Sequence, residues 1–187
     1  MHRPLSIIST CFIFIVCFSC KSGHQRTDRQ AVAEQPSQDQ LVDMNRMLIR
    51  KDAATIRDYA QRHGWNLTET GTGLFYQIFD TDRNVSASSH PVQSGDTVKL
   101  SFSVYLIDGT FCYSSSLQGP KIFIVDKSEA EQGLHQAVKL LLPGDSARFV
   151  FPPFLAFGLV GDGNKIPGRA ILLYNVRLES VGQSSGQ

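Results

Sequence analysis

The sequence predicts an α+β protein in which an antiparallel sheet packs on one helix. Several short segments alternate apolar and polar residues with the period of a strand. One segment between them carries apolar residues at helical spacing, and the order strands, helix, strands indicates the α+β class. A chain of 187 residues has room for about one domain of this kind.

The composition excludes several other classes of protein. With 42% hydrophobic residues, the chain differs from a disordered or collagen-like sequence. Its 18 basic and 17 acidic side chains leave a formal net charge of +1, which gives no electrostatic reason to expect nucleic acid as a partner. Three of the four cysteines, Cys11, Cys17 and Cys20, lie within the first twenty residues, so a disulfide-dense domain is excluded as well.

The first twenty residues have the layout of a secretory signal peptide. Arg3 precedes an apolar run from Leu5 to Phe18, and Ser19-Cys20 separates that run from polar residues. The run is shorter than the roughly 20 residues that a membrane-spanning helix needs. It resembles a bacterial lipoprotein signal, in which residues 1–19 are removed and Cys20 is lipidated; plain cleavage and an uncleaved anchor are the alternatives. We therefore expect a lipoprotein of the cell envelope that faces the periplasm and is held to the membrane through Cys20.

Two segments connect this start to the main domain. Residues 20–40 are rich in polar side chains and almost lack large apolar ones, which predicts a flexible tether. From Leu41 to Ala60 apolar residues recur at helical spacing, and Gly64 follows as a natural helix stop. We expect one or two short helices here, in an N-terminal extension over residues 41–72.

The main domain, residues 73–180, begins with strand patterns, and residues 181–187 follow it as a disordered tail. In Thr97–Leu106 apolar and polar residues alternate over the whole segment, which predicts a half-buried strand. Asp108-Gly109 then predicts a hairpin turn. The other segments with strand character are Gly73–Phe79, Phe111–Tyr113, Lys121–Val125, Ala147–Phe151 and Ala170–Leu178.

One helix is predicted inside the main domain. Ser128 and Glu131 have the spacing of a capping box ahead of an apolar helical stripe that includes Leu134 and Leu141. Pro143-Gly144-Asp145 ends this helix. A loop with several glycines and prolines runs from Pro152 to Gly168 before the last strand.

The chain lacks the motifs of metal, cofactor and nucleophile chemistry. His63, His90 and His135 are far apart and have no cysteine or histidine at metal-ligand spacing. Gly161-Asp162-Gly163-Asn164 is not followed by the Lys-Ser/Thr of a phosphate-binding loop. Cys112 lies in an apolar strand, where a thiol is a buried and inert small residue. We expect neither a metal nor a cofactor.

The remaining feature of the sequence that indicates a function is the distribution of its aromatic residues. All nine phenylalanines that follow residue 20 lie between Phe75 and Phe157. Phe149 and Phe151 alternate within a strand and are interpreted as core residues, whereas Phe154 and Phe157 belong to the loop, where a core role is less automatic. An aromatic concavity with few charges suits an apolar or proline-bearing ligand.

A series of short motifs runs through residues 95–178. In chain order they are Gly95-Asp96-Thr97-Val98, Leu106-Ile107-Asp108-Gly109-Thr110, Tyr113-Ser114-Ser115, Pro143-Gly144-Asp145, Pro153-Phe154-Leu155-Ala156-Phe157-Gly158, Lys165-Ile166-Pro167 and Tyr174-Asn175-Val176. In order and spacing they resemble the FKBP family of peptidyl-prolyl isomerases. The helix before Gly64, the strand at Gly73 and the lipoprotein start are further similar to the gliding-motility-associated lipoproteins of this family, the GldI type. The resemblance implies a twisted five-stranded antiparallel sheet wrapped around one short helix, with a pocket between them.

The same resemblance implies which residues form the pocket. Phe102 stands where the family has a pocket tyrosine, and Phe157 stands at its loop tyrosine. Leu134 takes the place of the tryptophan floor, Ile166 that of an apolar loop wall, and Tyr174 that of a pocket phenylalanine. We expect these five side chains to hold a substrate proline ring.

Several positions depart from the family pattern. Phe157 lacks the hydroxyl that in relatives contacts the substrate carbonyl, and Leu134 makes the floor smaller. Cys112 and Tyr113 replace a Phe-Asp pair, which removes a carboxylate from the pocket wall. Tyr113 is expected to serve instead as a hydrogen-bond donor to the substrate carbonyl. These departures predict weak isomerase activity, or an altered preference for the residue before proline.

The leading functional hypothesis is a peptidyl-prolyl cis-trans isomerase that assists the folding of envelope proteins. Rotation about an X-Pro bond has a barrier of about 18–20 kcal/mol and needs no nucleophile, metal or cofactor. A dry aromatic pocket disfavours the charge-separated planar amide and so favours the twisted form. The alternative is a lipid-anchored binding or chaperone module that keeps the pocket but does not catalyse isomerisation.

Overall fold

The computed structural model describes residues 36–81, 91–127 and 130–182. The predictions for the signal peptide, for Cys20, for most of the tether and for Ser128 fall outside these ranges. Among the described residues, no helix is both long and apolar enough to cross a membrane. The elements are α1 Gln38–Arg62, β1 Thr68–Glu69, β2 Phe75–Thr81, β3 Thr97–Leu106, β4 Phe111–Ser114, α2 Ser115–Gln118, β5 Lys121–Ile124, α3 Gln132–Val138, β6 Asp145–Phe151, the 3-10 turn Pro153–Leu155 and β7 Leu172–Gly182.

The strands form one antiparallel sheet in the order β1-β2-β6-β7-β3, and both β4 and β5 pair with β3. This confirms the predicted α+β class. The sheet has seven hydrogen-bonded strands rather than the expected five, for two reasons. β5 pairs with Thr97–Leu100 and β4 with Ser103–Tyr105, so that two short strands share one edge position, and the two-residue β1 is added beside β2.

The alternation predicted for the third strand is confirmed. β3 spans Thr97–Leu106, and its side chains Val98, Leu100 and Val104 are buried on one face. The turn at Asp108-Gly109 joins β3 to β4, and Gly109 has a φ of 90° that favours glycine. The strand pattern therefore determines which residues of β3 face the core.

The face of the sheet that carries α3 is here called the inner face. α3 buries Leu134, Ala137 and Val138 in one core cluster with residues of β3, β6 and β7. A Cβ on Gly133 would lie 2.8 Å from the carbonyl oxygen of Leu155, so glycine allows the helix to approach the loop closely. α3 ends at Val138, before the predicted Pro143 stop, although Leu141 remains buried.

The opposite face, here called the outer face, carries α1. Ile56 of α1 is buried in a second cluster with Val150 and Leu173. Ser37 and Gln40 form a capping box, so the helix begins at Gln38 and not near Leu41, where the sequence pattern placed its start. α1 is one helix of 25 residues, and Gly64 with a φ of 65° lies beyond its end, as predicted.

Candidate functional site

A cavity of about 320 Å³ opens on the inner face and is here called the aromatic pocket. Four of the six residues predicted for the site, Phe102, Tyr113, Phe157 and Tyr174, line it. The other two, Leu134 and Ile166, are 1% and 2% exposed and are not among its lining residues. The remaining lining residues are Val104, Gln118, Lys121, Glu131 and Asn164.

The sheet register builds one wall of the aromatic pocket. Val104 on β3 pairs with Tyr113 on β4 and with Tyr174 on β7. Residues that face each other across antiparallel strands project from the same side of the sheet, so these three side chains form a row. The ring of Phe151 lies 4.8 Å from that of Tyr174 and packs behind it. The period-two pattern is thus what places two tyrosines on either side of Val104 at the pocket.

The hydroxyl of Tyr113 is directed at the loop rather than into open space. It donates a hydrogen bond to Asp162, whose other carboxylate oxygen accepts the backbone N–H groups of Asn164 at 2.9 Å and Ile166 at 2.8 Å. This hydrogen bond to Asp162 is the main cause that raises the pKa of Tyr113. Burial alone would raise the pKa of Asp162, but its hydrogen bonds from Tyr113, Ile166 and Asn164 lower it below the ordinary value.

These contacts bear on two expectations for the wall at Tyr113. A phenol has one proton to donate, and here it is given to Asp162, so Tyr113 is not placed to donate to a substrate carbonyl. A carboxylate does lie next to this wall, because Asp162, from a loop distant in sequence, accepts the hydroxyl of Tyr113 without lining the pocket itself. Tyr113 therefore serves to hold the Asp162 loop against the pocket.

A charged pair that the sequence patterns do not predict also lines the aromatic pocket. The hydroxyl of Tyr174 donates to Oε1 of Glu131 at 2.8 Å, and Nζ of Lys121 donates to Oε2 of Glu131 at 2.6 Å. The side chain of Glu131 is 9% exposed and that of Lys121 is 30% exposed. Burial, followed by the charge of Glu131, raises the pKa of Tyr174 well above its ordinary value. The pocket is therefore less apolar than the sequence indicated.

One sequence signal could have identified Lys121. It stands two residues before Phe123 on β5, and Phe123 is buried in the core cluster, so Lys121 projects from the inner face as well. A charged residue at a core-facing position calls for a buried partner. Glu131 was assigned to a capping box, but as the N-cap of α3 its side chain makes no capping hydrogen bond and points toward Lys121 instead.

A second cavity of about 570 Å³ adjoins the aromatic pocket. The two cavities share Lys121, Glu131 and Phe157 as lining residues, and Ala130 and Ala156 complete the second one. An extended ligand that fills the aromatic pocket with one residue can therefore place a neighbouring residue in this second cavity, here called the side cavity.

Cys112 is buried, as predicted, and its surroundings favour the protonated thiol. Its side chain is fully buried in the core cluster, and burial raises the pKa of the thiol. Nζ of Lys165 donates to its backbone carbonyl at 2.9 Å. The described part of the chain also contains no group of three or more histidine, cysteine, aspartate or glutamate side chains that could hold a metal ion.

Comparison with known proteins places these residues in a family. The family model for FKBP-type peptidyl-prolyl cis-trans isomerase matches residues 88–179. The chain is 36% identical over 91 residues to human peptidyl-prolyl cis-trans isomerase FKBP10, a match that covers 48% of this chain and 16% of that protein. It is 32% identical over 90 residues to FK506-binding protein 2 of Dictyostelium discoideum, covering 48% of this chain and 68% of the relative.

Two bacterial proteins match a longer part of the chain. The probable FKBP-type isomerase FkpA of Neisseria meningitidis is 32% identical over 133 residues, which is 71% of this chain and 46% of that protein. The crystal structure of FkpA from Escherichia coli superposes with a TM-score of 0.59 at 23% identity and covers 80% of this chain and 75% of that one. The match to the Escherichia coli structure shows that the two proteins share a fold.

Proposed function

Because the chain belongs to the FKBP-type peptidyl-prolyl cis-trans isomerase family, we propose that it accelerates cis–trans isomerisation at X-Pro bonds of polypeptide segments. The observation that carries this proposal is the aromatic pocket, which lies within the matched region and is lined by Phe102, Phe157 and Tyr174. Its volume of about 320 Å³ is in the range of sites that bind small ligands.

The aromatic pocket can favour the twisted amide by its low polarity. The planar X-Pro amide owes a barrier of about 18–20 kcal/mol to resonance, which separates charge between nitrogen and oxygen. Phe102, Val104 and Phe157 replace water around that bond with apolar surface, and this disfavours the charge-separated form. Because the twisted form has lost this charge separation, it binds better than either planar ground state, which accelerates rotation.

We further propose that the protein acts at the cell envelope as a lipid-anchored member of the gliding-motility-associated type, assisting the folding of envelope proteins. The signal-like first nineteen residues, the cysteine at position 20 and the polar segment that follows support this proposal. The anchor can be tested by metabolic labelling with a tagged fatty acid in a bacterial host. Label on the wild type and its loss in Cys20→Ser support the anchor, whereas equal labelling of both would contradict it.

The isomerase proposal is tested with the full chain in detergent on short X-Pro peptides, by NMR exchange or a protease-coupled assay. We expect the exchange rate to rise in proportion to protein concentration. A rate equal to that of buffer at high protein concentration would overturn catalysis. The reaction needs no added metal or cofactor, so a chelator is expected to leave the rate unchanged.

A binding module without turnover is the second candidate, and one observation favours it. The hydroxyls of Tyr113 and Tyr174 are both engaged by carboxylates, and Phe157 has none, so no aromatic hydroxyl that lines the pocket is directed at a ligand. Measurable affinity for a proline peptide, together with an exchange rate equal to that of buffer, would support this candidate over the isomerase.

A further inference from the structure

A proline segment that enters the aromatic pocket brings peptide carbonyl groups with it. Proline has no N–H, so the polar groups of such a segment near the ring are mostly acceptors. A carbonyl that loses its water on binding needs a donor from the protein, because a buried acceptor without a partner opposes binding. The donors that line the cavities therefore decide which segments bind well.

Two of the side-chain donors that line the aromatic pocket are already engaged by carboxylates. The hydroxyls of Tyr113 and Tyr174 donate to Asp162 and Glu131. Lys121 differs, because an ammonium has three protons and, within the described residues, the hydrogen bonds of Lys121 account for one of them, to Glu131 at 2.6 Å. The pocket is thus left with one cationic donor that has protons to share.

The position of Lys121 also sets it apart from the two amide side chains of the pocket. Gln118 and Asn164 line the aromatic pocket only, whereas Lys121 lines both that pocket and the side cavity. A peptide that extends from one cavity into the other must pass this side chain. Hydrogen bonds from a charged donor are also stronger than those from a neutral amide.

We propose that Lys121 is a substrate-binding residue whose ammonium donates a hydrogen bond to a backbone carbonyl flanking the proline, and that Glu131 and Tyr174 hold it in position. This role rests on the proposed function of the same pocket. Glu131 is fixed by Tyr174 on one oxygen and orients Lys121 with the other, so less rotamer freedom is lost when substrate binds.

The chemistry of rotation about the X-Pro amide determines which substrate carbonyl can accept a hydrogen bond from Lys121. A cation at the oxygen of the rotating amide would stabilise its charge-separated planar form and slow the rotation. The carbonyl that Lys121 meets is therefore that of a residue beside the rotating bond, and the contact is equally strong in the planar and the twisted state. Interactions of this uniform kind lower KM and leave kcat unchanged.

The kinetic test compares wild type, Lys121→Met and Lys121→Arg in the full chain on an X-Pro peptide. We expect Lys121→Met to raise KM by about tenfold with kcat changed by less than about twofold, and Lys121→Arg to recover most of the affinity. Lys139→Met is the matched control, because Lys139 is similarly exposed and also forms an ion pair, with Asp126 at 2.6 Å. Neither residue of that pair lines the aromatic pocket. The control is expected to leave both constants unchanged.

A second variant separates the loss of the hydrogen-bond donor from a loss of folding stability. Lys121→Met leaves Glu131 buried without its cation, which can destabilise the fold. The double variant Lys121→Met with Glu131→Gln removes both charges, and the glutamine oxygen can still accept from Tyr174. We expect the double variant to recover thermal stability while KM stays high, which a purely structural ion pair would not produce. Wild-type KM in this folded double variant, or in Lys121→Met, overturns the proposal, as does a loss confined to kcat.

Failure of the Lys121 proposal can be distinguished from failure of the proposed isomerase function. The dissociation constant of the same peptide, measured by NMR titration without reference to turnover, is expected to rise in Lys121→Met as KM does. If the wild type binds the peptide but does not accelerate exchange, the isomerase proposal fails and the affinity comparison still decides the role of Lys121. If the wild type neither binds nor accelerates, both proposals are overturned.

Discussion

On the inner face of the sheet, Val104, Phe149 and Tyr174 belong to a cluster that ends at an open pocket. The residue next to each of them, Tyr105, Val150 and Leu173, belongs to the outer cluster that α1 covers. Both clusters thus come from the same three strands, since successive side chains alternate between faces.

The two faces differ in how far a helix covers their apolar surface. On the outer face Ile56 of α1 is fully buried against the sheet, and a cavity of about 370 Å³ remains beside the C-terminal part of α1, next to Trp65 and Phe75. On the inner face the short α3 covers only part of the sheet, and Phe157 and Lys121 border cavities that remain open. The comparison teaches that a change on the outer face should alter stability alone, whereas a change at the inner pocket should alter binding and turnover.

The largest expected effect is on the outer face. Ile56→Ala should lower the free energy of unfolding by about 2–5 kcal/mol, because it leaves a cavity beneath α1. Urea unfolding followed by the fluorescence of Trp65, the single tryptophan, which packs against this cluster, measures the loss. The folded variant should keep the wild-type kcat/KM, since no substituted atom lines the aromatic pocket.

Met47→Ala is the control for this substitution. Met47 lies on the same helix but is 67% exposed, so its truncation should change the stability by less than about 0.5 kcal/mol. A wild-type unfolding midpoint for Ile56→Ala would show that α1 does not pack on the outer face as described.

The next effect belongs to the inner pocket. Phe157→Ala should lower kcat/KM by about tenfold or more, because it removes the ring that both cavities share, while the half-buried position limits the loss of stability to about 1 kcal/mol. The measurement is the exchange assay together with urea unfolding of the same sample. Phe154→Ala is the control, since Phe154 lies in the same loop but outside the pocket lining, and its rate should match the wild type.

The contrast between the faces also shows which features the sequence could predict. The faces of β3 follow from alternation, which is a local property, so Val98, Leu100 and Val104 were assigned correctly. Leu134 and Ile166 are predicted to line the pocket but are buried outside its lining, because apolar character identifies a buried position and does not distinguish a pocket wall from the interior behind it.

The polar part of the site depended on contacts between distant segments. Lys121 and Glu131 meet only because β5 and the start of α3 come together, and Glu131 meets Tyr174 across 43 positions of sequence. Tyr113 meets Asp162 across 49 positions, so the direction of its hydroxyl could not be read from its neighbours. The side-chain partners of a site are set by tertiary packing, which periodicity does not encode.

A smaller effect tests how α1 is held at the edge of the outer face. Both carboxylate oxygens of Asp52 accept from Arg169 at 3.1 Å, and the Asp52 side chain is largely buried. Asp52→Asn should therefore lower the free energy of unfolding by about 1 kcal/mol, less than Ile56→Ala, with kcat/KM unchanged. Asp43→Asn is the control, because its pair with Arg46 is exposed and is expected to contribute almost nothing. A change in kcat/KM for Asp52→Asn would show that the two faces are coupled.

The smallest effect concerns Asp162, the loop carboxylate next to the inner pocket, and depends on pH. The pKa of Asp162 is lowered from 3.8 in the folded protein, so its hydrogen bonds stabilise the fold above that pH and their contribution is lost as the pH falls through the folded pKa. Tyr113→Phe removes one of these bonds, so the pKa of Asp162 should rise toward its ordinary value. The variant should be destabilised at neutral pH, and the difference from wild type should shrink below the folded pKa, where the carboxyl is protonated in both.

Carbon-detected NMR titration of the Asp162 carboxyl measures that rise, with Tyr105→Phe as the control, because Tyr105 packs on Phe111 and belongs with the outer cluster. Since the hydroxyl of Tyr113 serves Asp162 and not the substrate, kcat should change by less than about twofold in Tyr113→Phe. A loss of kcat/KM as large as that expected for Phe157→Ala, with the pKa of Asp162 unchanged, would instead show that Tyr113 donates to the substrate. That result would also weaken the case for Lys121, because the pocket would then have a further donor available to the peptide besides Lys121 and the amides of Gln118 and Asn164.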